Sequence, residues 1–316
     1  MTLRTSLIAL MALASLPFIS SCSSTMEARE VTADRVAAPV FMVKRQIPAG
    51  LFNLVAWERV RDRAAPANIY IEGDGLAWLT RSRPSLDPTP QNPVALNLAA
   101  MDKARNVIYL SRPCMYEMDQ VYGGGKPKWN GEGACPIKYW TSHRFSPDVL
   151  LSMNVALDEI KARYGVTEFN LIGYSGGGNV AALLAASRDD VASLRTVAGN
   201  LDHSTFTDIH DVTPMTASLN AVDEVEALAS VPQHHFIGGE DTVVPPAVFH
   251  SYDQAVSPSQ CVAHTLVPGV THESGWVEKW PELLRQPFGC DERMIEPEVD
   301  PSMFTPPPPE FLDAAK

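Results

Sequence analysis

The feature that most restricts the fold is residues 168–186, where a short apolar run leads through a glycine-rich turn directly into an alanine- and leucine-rich segment. The turn reads Gly173-Tyr-Ser-Gly-Gly177, and the run before it has the length and composition of a buried strand. Side chains two positions before and after Ser175 would collide with the neighbouring strand and helix, which explains glycine at both positions. The sequence therefore predicts a strand, a strained turn and a helix, with the Ser175 hydroxyl raised above a sheet.

A glycine-rich turn between a strand and a helix has three common uses. It can be a purely structural turn, it can hold a phosphate group, or it can present a nucleophile. A phosphate loop of the P-loop type needs a lysine after its glycines, and no lysine follows Gly177. A serine in the turn, with the positive end of the next helix directed at it, favours the nucleophile.

Short β-rich runs alternate with helical patterns through the middle of the chain. Helical spacing covers residues 93–103, 147–164 and 177–187, and the pair Ser146-Pro147 is typical of a helix start. No change of composition interrupts the alternation, which predicts one α/β domain over residues 40–295 with a mostly parallel sheet covered on both faces. The predicted strands are residues 53–60, 68–71, 106–110, 168–172, 194–197, 234–237 and 262–267.

A serine nucleophile needs a base and an acid, and both have candidates later in the chain. Asp241 follows a strand that ends in glycines, with Glu240 as the alternative acid, and His272 lies in a loop after the strand 262–267. The order serine, acid, histidine is the one that this kind of turn accompanies. The histidines that fall within or at the start of predicted strands are expected to be structural; these are His234, His235 and His264.

With these three motifs the chain resembles the α/β-hydrolase superfamily over about residues 40–290. The resemblance implies an eight-stranded, mostly parallel sheet flanked by helices and an acyl-enzyme route that needs no metal ion and no organic cofactor. In that route Ser175 attacks a carbonyl carbon, His272 transfers the proton and Asp241 orients the imidazole. Carboxylic esters are the expected substrates. Amide or peptide hydrolysis is the alternative within the same chemistry, and a non-catalytic, ligand-binding envelope lipoprotein is the alternative from another class.

The resemblance also implies an oxyanion hole formed by backbone N–H groups. One donor is the N–H of Gly176, and the other comes from the segment Glu72-Gly-Asp-Gly75 after the strand 68–71. Many members carry His-Gly where this chain has Glu72-Gly73, so the match assigns the second donor to Asp74, with Gly75 as the alternative. Two acidic side chains here would repel an oxyanion unless they point away or pair with a cation. They could bind a positive group on a substrate, but a structural role is favoured.

The first 21 residues have the features of an export signal. Arg4 precedes an apolar run from Leu7 to Ile19, which is too short to span a membrane, and small residues follow up to Cys22. The segment Ile19-Ser-Ser-Cys22 resembles a bacterial lipobox, which implies cleavage before Cys22 and a lipid on its thiol. The expected location is the cell envelope, where acyl chains on Cys22 hold the protein on a membrane surface.

Two further segments flank the predicted domain. Residues 22–39 are polar and show no apolar periodicity, so they are predicted to form a tether between lipid and domain. Residues 296–316 are rich in proline and are predicted to form an extended tail.

Lipidation of Cys22 leaves four cysteines, an even number that suits disulfides in an oxidising compartment. The favoured pairs are Cys114 with Cys135 and Cys261 with Cys290, because each closes a short local segment. Free thiols are the alternative, and the spacing does not suit a structural zinc site. The loop closed by Cys114 and Cys135 belongs to a segment whose aromatic side chains either contact substrate or pack in the core; they are Tyr116, Tyr122, Trp129, Tyr139 and Trp140.

The charge balance limits the partners. The chain has 25 basic and 37 acidic residues, a formal net charge of −12. This is the wrong sign for covering a nucleic-acid backbone. The expected partners are therefore a small-molecule ester or amide and, through the lipid on Cys22, a membrane.

Overall fold

The computed structural model describes residues 23–116 and 135–290. Several sequence-based expectations lie outside these residues: the export signal, Cys22, the aromatic residues Tyr122 and Trp129, and the proline-rich tail. Within the described residues, no helix is long and apolar enough to cross a membrane.

The strands alternate with helices along the chain, as the sequence predicts. The strands are β1 (Val43–Ala49), β2 (Phe52–Val60), β3 (Ala67–Ile71), β4 (Trp78–Thr80), β5 (Arg83–Pro84), β6 (Asn106–Leu110), β7 (Phe169–Tyr174), β8 (Val191–Val197), β9 (Gln233–Gly238) and β10 (Val262–Val267). The α-helices are α1 (Ser23–Ala37), α2 (Val94–Met101), α3 (Pro147–Tyr164), α4 (Gly176–Ser187), α5 (His203–His210), α6 (Val225–Leu228), α7 (Pro246–Val256) and α8 (Trp276–Leu283).

Eight of these strands form one sheet in the order β1-β2-β6-β3-β7-β8-β9-β10. Strand β2 runs antiparallel to β1 and β6, and the pairs from β6 through β3 to β10 are parallel. This confirms the predicted eight-stranded, mostly parallel sheet in a single α/β domain. The parallel strands β7, β9 and β10 end on the same side of the sheet, so the loops that follow them meet there.

Helices cover both faces of the sheet, and successive side chains of a strand lie alternately in the two cores on either face. In β2, Leu54 and Ala56 belong to the core under α3 and α4, whereas Val55 and Trp57 belong to the core under α1, α2 and α8. Tyr70 of β3 lies in the second core, where its ring meets Trp280 of α8 edge-on. This two-sided burial explains why β3 and β6 are apolar at four of their five positions.

Most of residues 22–39, which the sequence predicts to form a tether, is helical, since Ser23–Ala37 forms α1. Ala33 and Ala37, one turn apart, are buried against the domain. Arg29 forms an ion pair with Asp87 at 2.9 Å, and Trp57 Nε1 donates to Asp34 Oδ1 at 2.9 Å. Small apolar side chains and polar contacts hold this helix against the domain. The segment therefore lacks the pattern of large apolar residues by which a packed helix is recognised in a sequence.

Both favoured disulfides are present, Cys114–Cys135 and Cys261–Cys290. Cys114 lies four residues beyond the carboxyl end of β6, on the side of the sheet where the loops meet. Cys261 directly precedes β10, at the opposite side of the sheet. The two bonds therefore restrain opposite ends of the molecule.

Candidate active site

Three side chains from three loops form a continuous hydrogen-bonded chain beyond the carboxyl ends of β7, β9 and β10. His272 Nε2 lies 3.0 Å from Ser175 Oγ, and His272 Nδ1 lies 2.8 Å from Asp241 Oδ2. Since the ionised carboxylate can only accept, Nδ1–H donates to Asp241 and Nε2 is free to accept from the serine hydroxyl. The structure thus brings together the three residues that the sequence proposes as nucleophile, base and acid.

The backbone at Ser175 is strained. Its φ of 51° and ψ of −124° lie outside the regions that side chains ordinarily allow. The turn is held by its own backbone: Ser175 N–H donates to Val197 O at 2.9 Å, and Ser175 O accepts from Gly178 and Asn200 N–H at 2.9 and 3.0 Å.

The expected collisions around Ser175 are confirmed. A Cβ atom at Gly173 would overlap the backbone of Gly177 and Gly178, in the first turn of α4, and one at Gly177 would overlap the backbone of Ile71 and Glu72. Glycine at these two positions lets the helix and the strand approach closely enough to raise the serine.

Asp241 and His272 are each fixed by further contacts. Asp241 is 4% exposed, and its Oδ1 accepts from Val243 and Val244 N–H, both at 2.8 Å, which leaves Oδ2 for the histidine. The carbonyl oxygen of His272 accepts from Tyr174 Oη at 3.1 Å and from Trp276 Nε1 at 2.9 Å. Both loops are therefore held in place before any ligand binds.

The other acid and the strand histidines lie elsewhere. Glu240 is exposed, and His272 hydrogen-bonds to Asp241. His235 is buried within the sheet, where its two ring nitrogens pair with Thr196 and Gln233, and burial lowers its pKa to about 3. His234 pairs with Pro287 and Thr265.

Ser175 and His272 open into a cavity of about 320 Å³. The segment after β8 contributes Asn200 and Phe206 to its walls. The remaining walls are mixed in character, with apolar Leu76, Trp78 and Val244 and with polar Arg144 among the lining side chains. A cavity of this size accommodates a small organic molecule.

No protein-family model and no curated protein sequence matches the chain. Solved structures do resemble it. Est1E from Butyrivibrio proteoclasticus superposes with a TM-score of 0.52 at 14% identity, over 76% of this chain and 95% of that one. ATU1826 from Agrobacterium tumefaciens, a protein of unknown function classed among the alpha/beta hydrolases, has the same TM-score and identity, over 76% and 93%. The chain has the α/β-hydrolase fold. The Pyrococcus furiosus esterase PF2001 is also similar, with a TM-score of 0.50 at 13% identity, over 78% of this chain and 91% of that one.

In an α/β-hydrolase fold the loop after β3 lies beside the nucleophile, and here that loop is residues 72–75. Gly73 N–H donates to Glu72 Oε1 at 2.9 Å. Within the described residues, the N–H groups of Asp74 and Gly176 donate to no acceptor. The sequence proposes these two N–H groups as the oxyanion donors.

The Asp74 side chain lies between two arginines. Arg112 Nη1 contacts Asp74 Oδ1 at 2.8 Å, and Arg144 Nη1 contacts Asp74 Oδ2 at 2.5 Å. Arg112 also donates to the carbonyl oxygen of Arg144, which joins the two arginines directly. Burial raises the pKa of the Asp74 carboxyl, but the charges of Arg144 and Arg112 outweigh burial and hold this pKa below its usual value. The carboxylate is thus paired with cations, which is one of the two arrangements that the sequence allows beside an oxyanion.

Glu72 has no such cation contact. It is 1% exposed, and burial raises its pKa to about 7 despite the hydrogen bond from Gly73. Its second oxygen, Oε2, has no hydrogen-bond partner among the described residues. Glu72 therefore holds the loop through Gly73 while its charge depends on pH near neutrality.

Sequence reasoning missed the two arginines, because nothing in the pattern around Arg112 or Arg144 links either one to residues 72–75. Of the aromatic residues after β6, Tyr139 meets Phe52 edge-on and Trp140 Nε1 donates to Ser85 O at 3.0 Å. Both are buried and neither lines the cavity, so these two pack in the core rather than line the site.

Proposed function

We propose that the protein is a serine hydrolase that cleaves carboxylic esters through an acyl-enzyme intermediate. The observation that carries this proposal is the hydrogen-bonded chain from Ser175 Oγ through the imidazole of His272 to Asp241 Oδ2, at 3.0 and 2.8 Å, at the wall of a cavity. The strained backbone at Ser175 supports it, because such strain is retained where it has a use.

In the proposed reaction His272 Nε2 takes the proton of the Ser175 hydroxyl while Oγ forms a bond to the ester carbonyl carbon. The carbonyl oxygen becomes an oxyanion that the N–H groups of Gly176 and Asp74 stabilise. When it collapses, the ester C–O bond breaks and the leaving alcohol takes the proton from His272. Water then attacks the acyl-enzyme by the same steps in reverse and releases the acid.

Asp241 assists without bonding to the substrate. Its carboxylate accepts a hydrogen bond from Nδ1–H of His272. This bond keeps the imidazole in the tautomer whose Nε2 can accept a proton, and the carboxylate stabilises the imidazolium that forms. Amide bonds can follow the same route, and they are the alternative substrates. Esters come first because an alcohol is the better leaving group, and the name of the Pyrococcus neighbour points to the same class.

The test compares the full chain with Ser175→Ala on short-chain and long-chain 4-nitrophenyl esters and on aminoacyl 4-nitroanilides. We expect ester turnover that falls by several orders of magnitude in the variant while its thermal unfolding stays close to that of the parent. Equal turnover in a folded Ser175→Ala protein would reject the proposal. Binding of esters without turnover in the parent would favour the ligand-binding lipoprotein instead.

We also propose that the protein is exported and carries a lipid on Cys22, on the basis of the sequence Ile19-Ser-Ser-Cys22. Metabolic labelling with a clickable fatty acid should mark the parent and leave Cys22→Ser unlabelled. Equal labelling of both proteins would contradict lipidation at this residue.

A further inference from the structure

Arg144 presents an unused hydrogen-bonding edge to the cavity that contains Ser175. Its Nε donates to Thr141 O at 2.8 Å and its Nη1 to Asp74, whereas its Nη2 donates to no described residue. The residue is 9% exposed and lines the cavity. Two of its three nitrogens fix the guanidinium, so the third is held in position for a ligand.

The described residues near Arg144 do not fully balance its charge. Arg112, Arg144 and Asp74 together carry one net positive charge, and Arg112 is almost fully buried. Among the described residues, the other acid that acts on Arg112 is Glu72, and burial raises the pKa of that carboxyl to about 7, so near neutrality it neutralises only part of the excess. A buried positive charge with an open donor favours an anionic group.

A second unpaired polar group lies on the same cavity. The side-chain amide of Asn200 makes no hydrogen bond to a described residue, its buried Oδ1 has no partner among them, and the residue is 2% exposed. Asn200 is next to the nucleophile, because its backbone N–H donates to Ser175 O at 3.0 Å. Between these polar groups, Phe206 and Val244 provide apolar wall for a hydrocarbon chain.

We infer that Arg144 binds a carboxylate carried by the substrate, so that the preferred esters have a free carboxylate in their acyl or alcohol part. This inference rests on the proposed function and narrows its substrate class. The recognition is local, since the chain is acidic overall and exposed Glu273 also lines the cavity. A carboxylate oxygen accepts a charge-assisted hydrogen bond from the free Nη2 group and compensates its charge.

The test uses two pairs of esters that differ in one carboxylate. Mono-4-nitrophenyl adipate is compared with 4-nitrophenyl hexanoate for the acyl side, and 4-butanoyloxybenzoate with its methyl ester for the alcohol side. We expect the parent to prefer the carboxylate-bearing member of at least one pair by about tenfold or more in kcat/KM, as charge-assisted hydrogen bonds allow. Arg144→Gln should remove most of this preference.

Arg112→Gln is the matched control. Arg112 holds the other oxygen of Asp74, but it does not line the cavity. Both variants break one contact to Asp74, so both should slow all esters. Only Arg144→Gln should change the ratio within a pair. A ratio that survives in Arg144→Gln, or that changes equally in both variants, would overturn the inference.

A binding measurement covers the case in which Arg144→Gln does not fold or the parent turns over no ester. Calorimetry with monomethyl adipate and methyl hexanoate on Ser175→Ala should show the carboxylate-bearing ligand bound at least tenfold more tightly. Equal affinities would reject the role of Arg144. Turnover of neutral esters without any carboxylate preference would reject this inference alone, and the proposed hydrolase would stand.

Discussion

A Cβ atom at residue 176 would overlap the Oδ1 atom of Asp74. The carboxylate of Asp74 thus fills the space beside Gly176, and Arg112 and Arg144 hold it there. The loop after β3 and the first residue of α4 are fitted to each other through this contact. Because both carry a proposed oxyanion donor, the distance between the two N–H groups depends on how Asp74 is held.

Gly176→Ala should therefore lower kcat far more than it lowers stability. The new methyl group forces Asp74 away, and a displacement of about 1 Å at a reacting group can cost about a hundredfold in rate. Turnover of 4-nitrophenyl butanoate and thermal unfolding of the two proteins measure the effect. The same substitution in an Asp74→Ala chain should cost much less, since the overlapping carboxylate is gone. A Gly176→Ala enzyme with full kcat would show that the contact has no influence on the oxyanion hole.

Glu72→Gln should change how stability depends on pH. The Glu72 carboxyl has a pKa of about 7 in the folded chain, above its unfolded value, so the folded state keeps a proton that the unfolded state releases. Its contribution is complete below the unfolded pKa and is lost as pH rises through about 7, by up to about 3 kcal/mol. Urea unfolding at pH 5 and pH 8 should show a smaller decline for Glu72→Gln than for the parent. Equal declines would contradict this account, because all other titrating groups are common to both proteins.

Asp241→Asn should lower kcat by about four orders of magnitude, because an amide facing Nδ1 of His272 favours the wrong tautomer. Glu240→Gln is the neighbouring control, at an exposed side chain, and should stay within about twofold of the parent. Steady-state kinetics on one ester compare the two. A larger loss in Glu240→Gln than in Asp241→Asn would move the acid by one residue.

The parts of the molecule that the sequence predicted are those with local signals. Strands β3, β6 and β10 are rich in apolar and β-branched residues, and the glycines around Ser175 mark the turn. Strand β1 was missed because it lies at the sheet edge, where Lys44, Arg45 and Pro48 are tolerated. Helix α1 was missed because alanines and polar anchors dock it.

The pairing of Asp74 with Arg112 and Arg144 could not be predicted from the sequence for a different reason. Arg112 lies 38 residues and Arg144 lies 70 residues from Asp74 in the chain, and each comes from an irregular segment. Periodicity and turn chemistry report on neighbours along the sequence. Contacts between loops depend on how the sheet brings strand ends together, so they appear only once the chain is folded.

The two disulfides should differ in what they protect. Cys114–Cys135 lies on the side of the sheet that carries Ser175, two residues beyond Arg112, whereas Cys261–Cys290 lies at the far side. Each closure is worth roughly 3 kcal/mol in the chain-entropy model. The variant with Cys114→Ser and Cys135→Ser should lose kcat/KM as well as stability. The variant with Cys261→Ser and Cys290→Ser should lose stability alone. Full kcat/KM in the first variant would mean that the Cys114–Cys135 bond stabilises the fold but does not influence the active site.

The proposed hydrolysis requires Ser175 to be a nucleophile that His272 activates. The most direct measurement is reaction of the full chain with a fluorophosphonate, followed by peptide mass spectrometry. We expect one phosphonate per chain, on the peptide that contains Ser175, no adduct in Ser175→Ala, and much slower labelling in His272→Ala. A folded protein that stays unlabelled at Ser175, or a Ser175→Ala protein labelled as fast as the parent, would contradict this role of Ser175.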